Sequence, residues 1–431
     1  MASISDDPTS VLPKDLLKII KFSSPDTPAQ IIGKGTFGTV LRGTRISHQN
    51  QRGRPLLSNY DVACKIMQPA SSVSAILEEI TCCNELLAAQ NVLGLSQANH
   101  VVQLQHVFLN KESGYAALIF NYVSSTPFKS MVNMVVDEGT IKLYVRDLLL
   151  ATQWLHYKGY VHIDIKPTNY LYDVTKQKGT LCDFGMVRKI IGNSFRDQKR
   201  GLTSDPNLTR YNPRPAGDQE PPTKVGRFGS YVASCIPQGL QRHQVDRVFG
   251  GTKGYRSPEV MLDCAVVSPA LDMYSIGIML LCLLLGKTKW FLQATKEKGL
   301  AELVSTFGYH SVMDMLIKLD IHSFSIPTPT FTTATNNASN STSSTTRPGS
   351  ISTTNPSIMA PPQTPKQIAH AKQAERITVF KSWQTTTNAN RNFSDNSFDL
   401  VLQLLSLFAG DRPSATQALA HKWFLPTATS S

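Results

Sequence analysis

Four polar side chains in the middle of the chain have the types and spacing needed to transfer a phosphoryl group. Asp164, Lys166 and Asn169 lie close together after a helix-like stretch, and Asp183 follows in an Asp-Phe-Gly triplet. An aspartate in this setting can orient and deprotonate an attacking hydroxyl, while a lysine neutralises charge on the phosphoryl group. Asn169 and Asp183 offer the oxygen ligands that Mg²⁺ prefers. The order of these residues disfavours the alternative of an ordinary polar loop.

A glycine-rich segment earlier in the chain could hold the phosphates of a nucleotide. Residues 31–40 read Ile-Ile-Gly-Lys-Gly-Thr-Phe-Gly-Thr-Val, and glycines let a hairpin backbone approach phosphates closely. A dinucleotide-binding turn has similar glycine spacing, but it requires a helix directly afterwards, and here a strand-like run follows. The predicted nucleotide contacts of this segment are Ile32, Gly33, Lys34, Gly35, Thr36, Phe37, Gly38 and Val40.

A lysine on the next apolar run could reach the same phosphates. Lys65 follows the run Val-Ala-Cys at 62–64. Behind a glycine loop, such a lysine contacts the α- and β-phosphates when a glutamate of a neighbouring helix holds it. Glu79 is the predicted partner because it shares a face with apolar residues of the next helical stretch. The spacing leaves Glu85 open as the alternative.

The elements that must position these residues change character along the chain. Residues 29–123 alternate strand-like runs with one helical stretch, and helical periodicity dominates from about residue 139. We therefore predict an α+β protein with a β-rich N-lobe at 29–123, containing one main helix, and an α-rich C-lobe at 124–425. A leader of residues 1–28 and a tail of residues 426–431 flank the two lobes.

Two long insertions are predicted within the C-lobe. Residues 186–250 are rich in Pro, Gly and Arg, and residues 322–378 are rich in Ser, Thr, Pro and Asn. Arg347 is the sole charged residue between Asp320 and Lys366. The second insertion cannot bury enough apolar surface to offset its ordering entropy, so we predict that it is disordered.

Charge, apolar stretches and cysteine usage exclude several classes of protein. A net charge of +12 indicates an acidic partner. The N-terminus lacks the pattern of a signal peptide, and the longest apolar stretch is too short to span a membrane. The seven cysteines form no CxxC pair, which predicts reduced thiols and disfavours a zinc site. The sequence contains no basic stretch interleaved with aromatic residues, so direct nucleic-acid binding is not predicted.

In their order over residues 31–425, these motifs resemble the eukaryotic protein kinase fold. The stretch Gly251–Glu259 resembles the end of an activation segment, with Glu259 expected to pair with Arg412 and Asp272 expected to anchor the catalytic loop. The resemblance implies an ATP cleft between the lobes, with Mg²⁺ as the metal. Its further implied contacts are Phe120 as gatekeeper, Tyr122 in the hinge, Ala63 and Leu171.

The segment from Asp164 to Asp173 is similar to the catalytic loop of the cell-division-cycle seven kinases, which fire replication origins. Those kinases also carry long insertions, and here Asp183 and Glu259 lie 76 positions apart. The resemblance implies a nuclear Ser/Thr kinase with an activating subunit and with the minichromosome maintenance helicase as substrate. A cyclin-dependent-like or casein-type kinase with unrelated insertions is the alternative. A catalytically dead scaffold is disfavoured because Asp164, Lys166, Asn169 and Asp183 are all present, together with Lys65.

Two local features bear on substrates and regulation. Between Arg188 and Arg256 thirteen basic residues stand against five acidic ones, a net charge of +8, which favours acidic sequences around the target hydroxyl. A simply solvated basic loop is the alternative. Ile163 replaces the arginine that in many kinases grips a phosphorylated activation loop. We therefore expect control by a bound subunit and little activity from the isolated chain.

Overall fold

The computed structural model describes most of the two predicted lobes. The described residues are 8–22, 29–35, 38–46, 60–67, 73–93, 100–110, 114–134, 136–190, 250–263, 267–319, 380 and 393–425. Most of both predicted insertions, together with the predicted tail at 426–431, therefore lies outside the described residues. In the part that is described, no helix is both long enough and apolar enough to cross a membrane.

The N-lobe is an antiparallel sheet whose described strands run in the order β1-β3-β4-β6-β5, with β2 also paired to β3. The strands are β1 (Ile20–Lys21), β2 (Gln30–Gly35), β3 (Gly38–Arg45), β4 (Tyr60–Met67), β5 (Leu104–Leu109) and β6 (Ala116–Asn121). The glycine-rich segment thus lies in a hairpin, in which the chain reverses between β2 and β3.

Strand β4 shows how alternation places the predicted lysine. Successive side chains of a strand point to opposite faces. Val62, Cys64 and Ile66 are buried in a small apolar cluster on the outer face of the sheet. Lys65 lies on the opposite face, towards helix α2 (Val73–Leu93).

The outer face of the sheet is covered by residues that were predicted to be a separate leader. Helix α1 (Lys14–Ile19) precedes β1, which pairs with the end of β3. Leu16 and Ile20 are buried in the outer cluster. A side chain at Gly43 would come within 2.7 Å of Ile20, so this close approach needs a glycine. Residues 8–22, which fall in the predicted leader, thus pack on the N-lobe sheet and supply four of the ten buried residues of this outer cluster.

The C-lobe is mainly helical, which confirms the predicted α+β class with a β-rich N-lobe and an α-rich C-lobe. Its described helices are α3 (Phe128–Asn133), α4 (Glu138–Tyr157), α5 (Pro258–Met261), α6 (Ala270–Leu285), α7 (Lys296–Phe307), α8 (Tyr309–Lys318), α9 (Asp395–Leu404) and α10 (Ala415–Leu419). Helix α6 is apolar on all sides, and it is buried from Leu271 to Leu285, as expected of a helix at the centre of a core.

Four short strands of the C-lobe carry the functional loops. Strands β7 (Tyr160–Val161) and β10 (Arg188–Lys189) form one antiparallel pair, and β8 (Tyr170–Asp173) and β9 (Lys178–Leu181) form another. The segment of Asp164, Lys166 and Asn169 lies between β7 and β8. The Asp-Phe-Gly triplet lies between β9 and β10, so the predicted insertion at 186–250 begins with a short ordered strand.

Candidate active site

The glycine-rich hairpin of strands β2 and β3 covers the site on the N-lobe side. Gly33 pairs with Val40 and Gly35 with Gly38 across strands β2 and β3. Gly38 has a φ of 154°, and a Cβ there would lie 2.0 Å from the carbonyl oxygen of Ile66, so only glycine fits. Ile32 and Lys34 lie on β2 of the same hairpin. Of the predicted contacts in this segment, Thr36 and Phe37 lie outside the described residues.

Lys65 is brought beneath this hairpin by the register of the sheet, in which Val40 is its partner on β3. Its ammonium nitrogen lies 2.7 Å and 2.9 Å from the two carboxylate oxygens of Glu79, and 2.7 Å from Oδ1 of Asp183. Glu79 is fully buried. Glu85, the alternative partner, instead pairs with Lys189 on strand β10.

The charges of this cluster support one another across three elements. Burial disfavours the ammonium form of Lys65, but its two carboxylate partners outweigh burial and raise its pKa above the usual value. Burial raises the pKa of Glu79, and the negative charge of Asp183 nearby also raises it, although Lys65 acts in the opposite direction. Burial also acts on Asp183, but Lys65 reverses the effect and lowers the pKa of Asp183. Asp183 is therefore held ionised, as a metal-binding carboxylate must be.

A second cluster forms around Asp164 in the loop between β7 and β8. Lys166 donates to Oδ2 of Asp164 at 2.7 Å, and the amide nitrogen of Asn169 donates to the same oxygen at 3.2 Å. The hydroxyl of Thr252 donates to Oδ1 of Asp164 at 2.7 Å and accepts from Lys166 at 2.8 Å. The carboxylate is thus fixed from both sides.

Asp272, at the start of α6, anchors the backbone of this loop. Its two carboxylate oxygens accept hydrogen bonds from the backbone N–H groups of His162 and Ile163, each at 2.8 Å, and its Oδ2 lies 2.8 Å from Nε2 of His156. Ile163 has a φ of 70°, a conformation that a β-branched residue adopts at a steric cost. The anchoring carboxylate holds the strained turn that aims Asp164 into the cleft.

Backbone contacts join the two clusters. The N–H of Cys182, directly before Asp183, donates to the carbonyl oxygen of Asn169 at 2.9 Å. The ring of His162 lies 3.1 Å from the carbonyl oxygen of Cys182 and packs against the buried ring of Phe184, with centroids 5.4 Å apart. Asp183 itself has a φ of 63°. These contacts hold the Asp-Phe-Gly triplet against the catalytic loop.

The donor set at the junction of the clusters suits a divalent metal bound to phosphate. Asn169 uses its amide nitrogen on Asp164, which leaves its amide oxygen as the atom that can bind a metal. Asp183 adds an ionised carboxylate held by Lys65. Oxygen ligands of this kind fit a hard cation such as Mg²⁺ and do not suit zinc. The side chains present therefore fit a metal bridged to nucleotide phosphates.

The predicted hinge connects the two lobes where strand β6, between β4 and β5 in the sheet, ends. Phe120 is buried on β6, where Ala63 of β4 is its partner. Tyr122 follows, and its N–H donates to the carbonyl oxygen of Asp61 at 3.2 Å. Leu171 lies on β8 and alternates with the buried Tyr170 and Tyr172, so it faces away from the C-lobe core. The structure places these predicted contacts on the two lobes that meet at the hinge.

Sequence reasoning missed one contributor to the site. Thr252 stands in the predicted end of the activation segment. The glycines at 251 and 254, which flank Thr252 and Lys253, were the sequence feature that could have drawn attention to it. Its importance lies in a contact between residues 88 positions apart, which no local pattern reveals. The nearby ion pair expected between Glu259 and Arg412 is present and buried, with Nη2 of Arg412 donating to Oε2 at 2.8 Å.

Comparisons with known proteins agree with this geometry. The sequence profile of the protein kinase domain matches residues 27–204. The chain is 26% identical over 298 residues to "Probable cell division control protein 7 homolog 2" of Encephalitozoon cuniculi, an alignment that covers 68% of this chain and 74% of that protein.

Two relatives from Schizosaccharomyces pombe give the same indication. Identity to the cell cycle protein kinase spo4 is 26% over 323 residues, covering 69% of this chain and 70% of the relative. Identity to the cell cycle serine/threonine-protein kinase hsk1 is 23% over 293 residues, covering 64% and 54%. A domain of this kind uses ATP together with a divalent metal ion.

Proposed function

We propose that this chain, a serine/threonine protein kinase similar to the cell division control protein 7 homologues, transfers the γ-phosphate of Mg·ATP to acidic-flanked hydroxyls in proteins that start DNA replication. The minichromosome maintenance helicase is the substrate that the resemblance favours. The names of spo4 and hsk1, both cell cycle kinases, support a role in the cell cycle.

The observation that carries the proposal is the fixed carboxylate of Asp164. Its oxygens are held by Lys166, Asn169 and Thr252, so one of them can face an incoming hydroxyl without reorganising. Asp164 accepts the proton of the substrate hydroxyl, and Lys166 offsets negative charge that develops on the transferring phosphoryl group. The hydroxyl oxygen thereby becomes a better nucleophile at the moment of attack.

The other cluster supplies the hold on the nucleotide. Lys65, aligned by Glu79, would contact the α- and β-phosphates, and the backbone of the glycine hairpin would cover them. Asp183 and Asn169 would hold Mg²⁺, which neutralises the phosphates when bound. Ala63, Phe120, Tyr122 and Leu171 would enclose the adenine ring. In this assignment the protein's main contribution is positioning and charge, as phosphoryl transfer requires.

Basic residues near the substrate groove support the preference for acidic flanks. Lys253 and Arg256 stand in the segment that follows Thr252, and the guanidinium of Arg256 is fixed by a hydrogen bond from Nε to the carbonyl oxygen of Gly251 at 2.7 Å. Most of the other basic residues between 188 and 256 lie outside the described residues. Acidic side chains or phosphate groups beside the target hydroxyl would be attracted to this positive charge and would partly neutralise it.

An activating subunit remains part of the proposal because of Ile163. The side chain is buried against Val161, Ile190, Val260 and Leu271, so this position offers no cation to a phosphorylated activation segment. Control by a bound protein is the alternative that the resemblance implies. Nuclear placement belongs with this role, and a fluorescent fusion found only in the cytoplasm of dividing cells would contradict it.

A peptide panel tests the reaction and its specificity together. Ser- and Thr-containing peptides with acidic, phosphorylated, neutral and basic flanks are incubated with the purified chain, Mg·ATP and any subunit that co-purifies. We expect the acidic and phosphorylated sets to be the best substrates and the Asp164→Asn variant to transfer phosphate about 10³-fold more slowly. Equal rates on acidic and basic flanks would reject the acidic preference, and absence of any transfer in the wild type would reject the kinase assignment. Efficient phosphorylation of casein by the chain alone would favour the casein-type alternative.

A further inference from the structure

Helix α2 must be held in place for Glu79 to align Lys65, and its outer surface carries two further glutamates. Glu78 and Glu85 are seven residues apart, which is close to two helical turns, so they lie on one side of α2. Both are partly exposed, in contrast to the fully buried Glu79. A solvated pair of acids is the ordinary explanation, but each of these has a basic partner on another element.

The partners are consecutive residues of strand β10, which is separated from the Asp-Phe-Gly triplet by two residues. Nη1 of Arg188 lies 3.0 Å from Oε2 of Glu78, and Nζ of Lys189 lies 3.2 Å from Oε1 of Glu85. The ammonium of Lys189 also lies 5.2 Å from the centroid of the Tyr160 ring, and the negative charge of Glu85 nearby adds to burial in raising the pKa of Tyr160. Lys189, Glu85 and Tyr160 therefore form one polar contact among three elements.

Strand β10 is itself fixed to the strand that leads into the catalytic loop. Arg188 pairs with Val161 and Lys189 with Tyr160 across β7 and β10. The next residue, Ile190, donates its N–H to the carbonyl oxygen of Gly159 at 2.7 Å and packs in the apolar cluster that contains Ile163. Ile163, which stands where many kinases have a phosphate-binding arginine, thus packs against Ile190 and helps to hold β10 in place.

We propose that Arg188 and Lys189 are positioning residues, which tie α2 to the strands flanking the catalytic loop and so keep Glu79 on Lys65 without a phosphate on the activation segment. The proposal rests on the kinase assignment. It gives a role to the basic pair that closely follows the Asp-Phe-Gly triplet in a chain with Ile163 in place of a basic residue before Asp164. The apolar cluster fixes β10 to the C-lobe, and the two ion pairs fix α2 to β10.

The size of the effect follows from exposure. Each pair is nearly half exposed, and pairs in that setting are screened by solvent, so reversing one charge is expected to change nucleotide affinity about three- to fivefold. A structural role unrelated to Lys65 would not give this change in nucleotide affinity.

The test is a charge-exchange cycle in the full chain. Lys189→Glu, Glu85→Lys and the double variant are treated with phosphatase, and their Kd for Mg·ATP and their kcat and KM on an acidic peptide are measured. We expect each single variant to bind Mg·ATP about threefold to fivefold more weakly, with a lower kcat/KM, and the double variant to return within about twofold of the wild type. The peptide KM is expected to stay unchanged, since the substrate groove is not altered.

A matched pair in the C-lobe serves as control. Lys296 and Asp263 form an ion pair of 2.6 Å with similar exposure, far in sequence from α2. Lys296→Glu and Asp263→Lys make the same changes in charge and are expected to leave the Kd for Mg·ATP unchanged. If they weaken it as much as the β10 variants, the effect is one of general charge and the proposal fails.

Other outcomes also decide the matter. Single variants with wild-type Kd and kcat/KM overturn the proposal, as does a double variant no better than the singles. Loss of wild-type Mg·ATP affinity on phosphatase treatment overturns it too, because a phosphate would then be holding the helix. If a single variant fails to fold, the milder Lys189→Gln and Arg188→Gln replace it in the same assay. A wild type that binds Mg·ATP but, together with any subunit that co-purifies, phosphorylates no peptide refutes the proposed function, whereas the affinity cycle still tests the tether.

Discussion

The cluster of Lys65, Glu79 and Asp183 and the cluster around Asp164 are built in different ways. Lys65, Glu79 and Asp183 come from a strand, a helix and a loop, and their contacts span up to 118 positions of sequence. Asp164, Lys166 and Asn169 lie within one loop, and only Thr252 is distant. The first cluster depends on how three elements pack, whereas the second is mostly organised by its own loop.

The difference also appears in burial and charge. The side chains of Lys65 and Glu79 are 9% and 0% exposed, so each would pay a large desolvation cost without the other. Lys166 is 22% exposed, and its pairing with Asp164 is correspondingly less important for stability. We therefore expect substitutions in the first cluster to affect folding as well as chemistry, and substitutions in the second to affect chemistry alone.

The largest effect is expected from Asp164→Asn. The amide oxygen can still accept from Lys166 and Asn169, but the amide cannot take a proton, so kcat should fall about 10³-fold with Mg·ATP affinity retained. Rates on an acidic peptide and titration with Mg·ATP check this. Asp173→Asn is the control, because Asp173 accepts backbone hydrogen bonds from a turn outside the cleft. A variant that retains more than a tenth of wild-type kcat would contradict the assigned role.

Lys65→Met is expected to lower the free energy of unfolding by about 3 kcal/mol, because it leaves Glu79 buried beside Asp183 without a cation. Denaturant unfolding measures the loss. The double variant Lys65→Met, Glu79→Leu should regain much of the stability while Mg·ATP binding stays weak, which separates the two roles of the pair. An unfolding free energy unchanged in Lys65→Met would remove the contrast between the clusters.

Thr252 offers a smaller test within the second cluster. Thr252→Ala removes the hydroxyl that bridges Asp164 and Lys166, and we expect kcat/KM to fall about tenfold with no change in unfolding free energy. Thr252→Ser keeps the hydroxyl and is expected to remain close to the wild type. Equal losses in both variants would show that the methyl group, not the bridge, matters.

The smallest effect concerns the hinge. Arg42 donates from Nε to Asp61 at 3.1 Å and lies 4.4 Å from the centroid of the Tyr122 ring, so Arg42→Gln should weaken Mg·ATP binding about threefold through a looser hinge. The hydrogen bond from Arg42 lowers the pKa of Asp61 below its usual 3.8. A lowered carboxyl pKa contributes stability above pH 3.8 that is lost as the pH falls through the folded-state pKa.

The denaturation midpoints of wild type and Arg42→Gln should therefore differ at neutral pH and converge in acid. A difference that persists at a pH well below 3.8 would contradict this origin of the stability.

Local sequence patterns predicted much of the fold. Alternation along β4 and apolar periodicity in the helices follow from side-chain direction, which is a property of each element alone. The packing of residues 8–22 left no pattern in the sequence, because this segment is short and its apolar side chains are buried only by the sheet that they cover. The predicted site residues came from motif order, and their roles remain to be tested by the substitutions above.

The sequence by itself determined the chemical groups of the site and the loop that holds Asp164, Lys166 and Asn169, because these residues are neighbours in the chain. Only the tertiary structure decided between Glu79 and Glu85 for Lys65, since both stand on one helix and its rotation about its axis depends on packing. The same holds for Thr252 and for the tie from Lys189 to Glu85: ion pairs and hydrogen bonds between distant residues leave no periodic trace in a sequence.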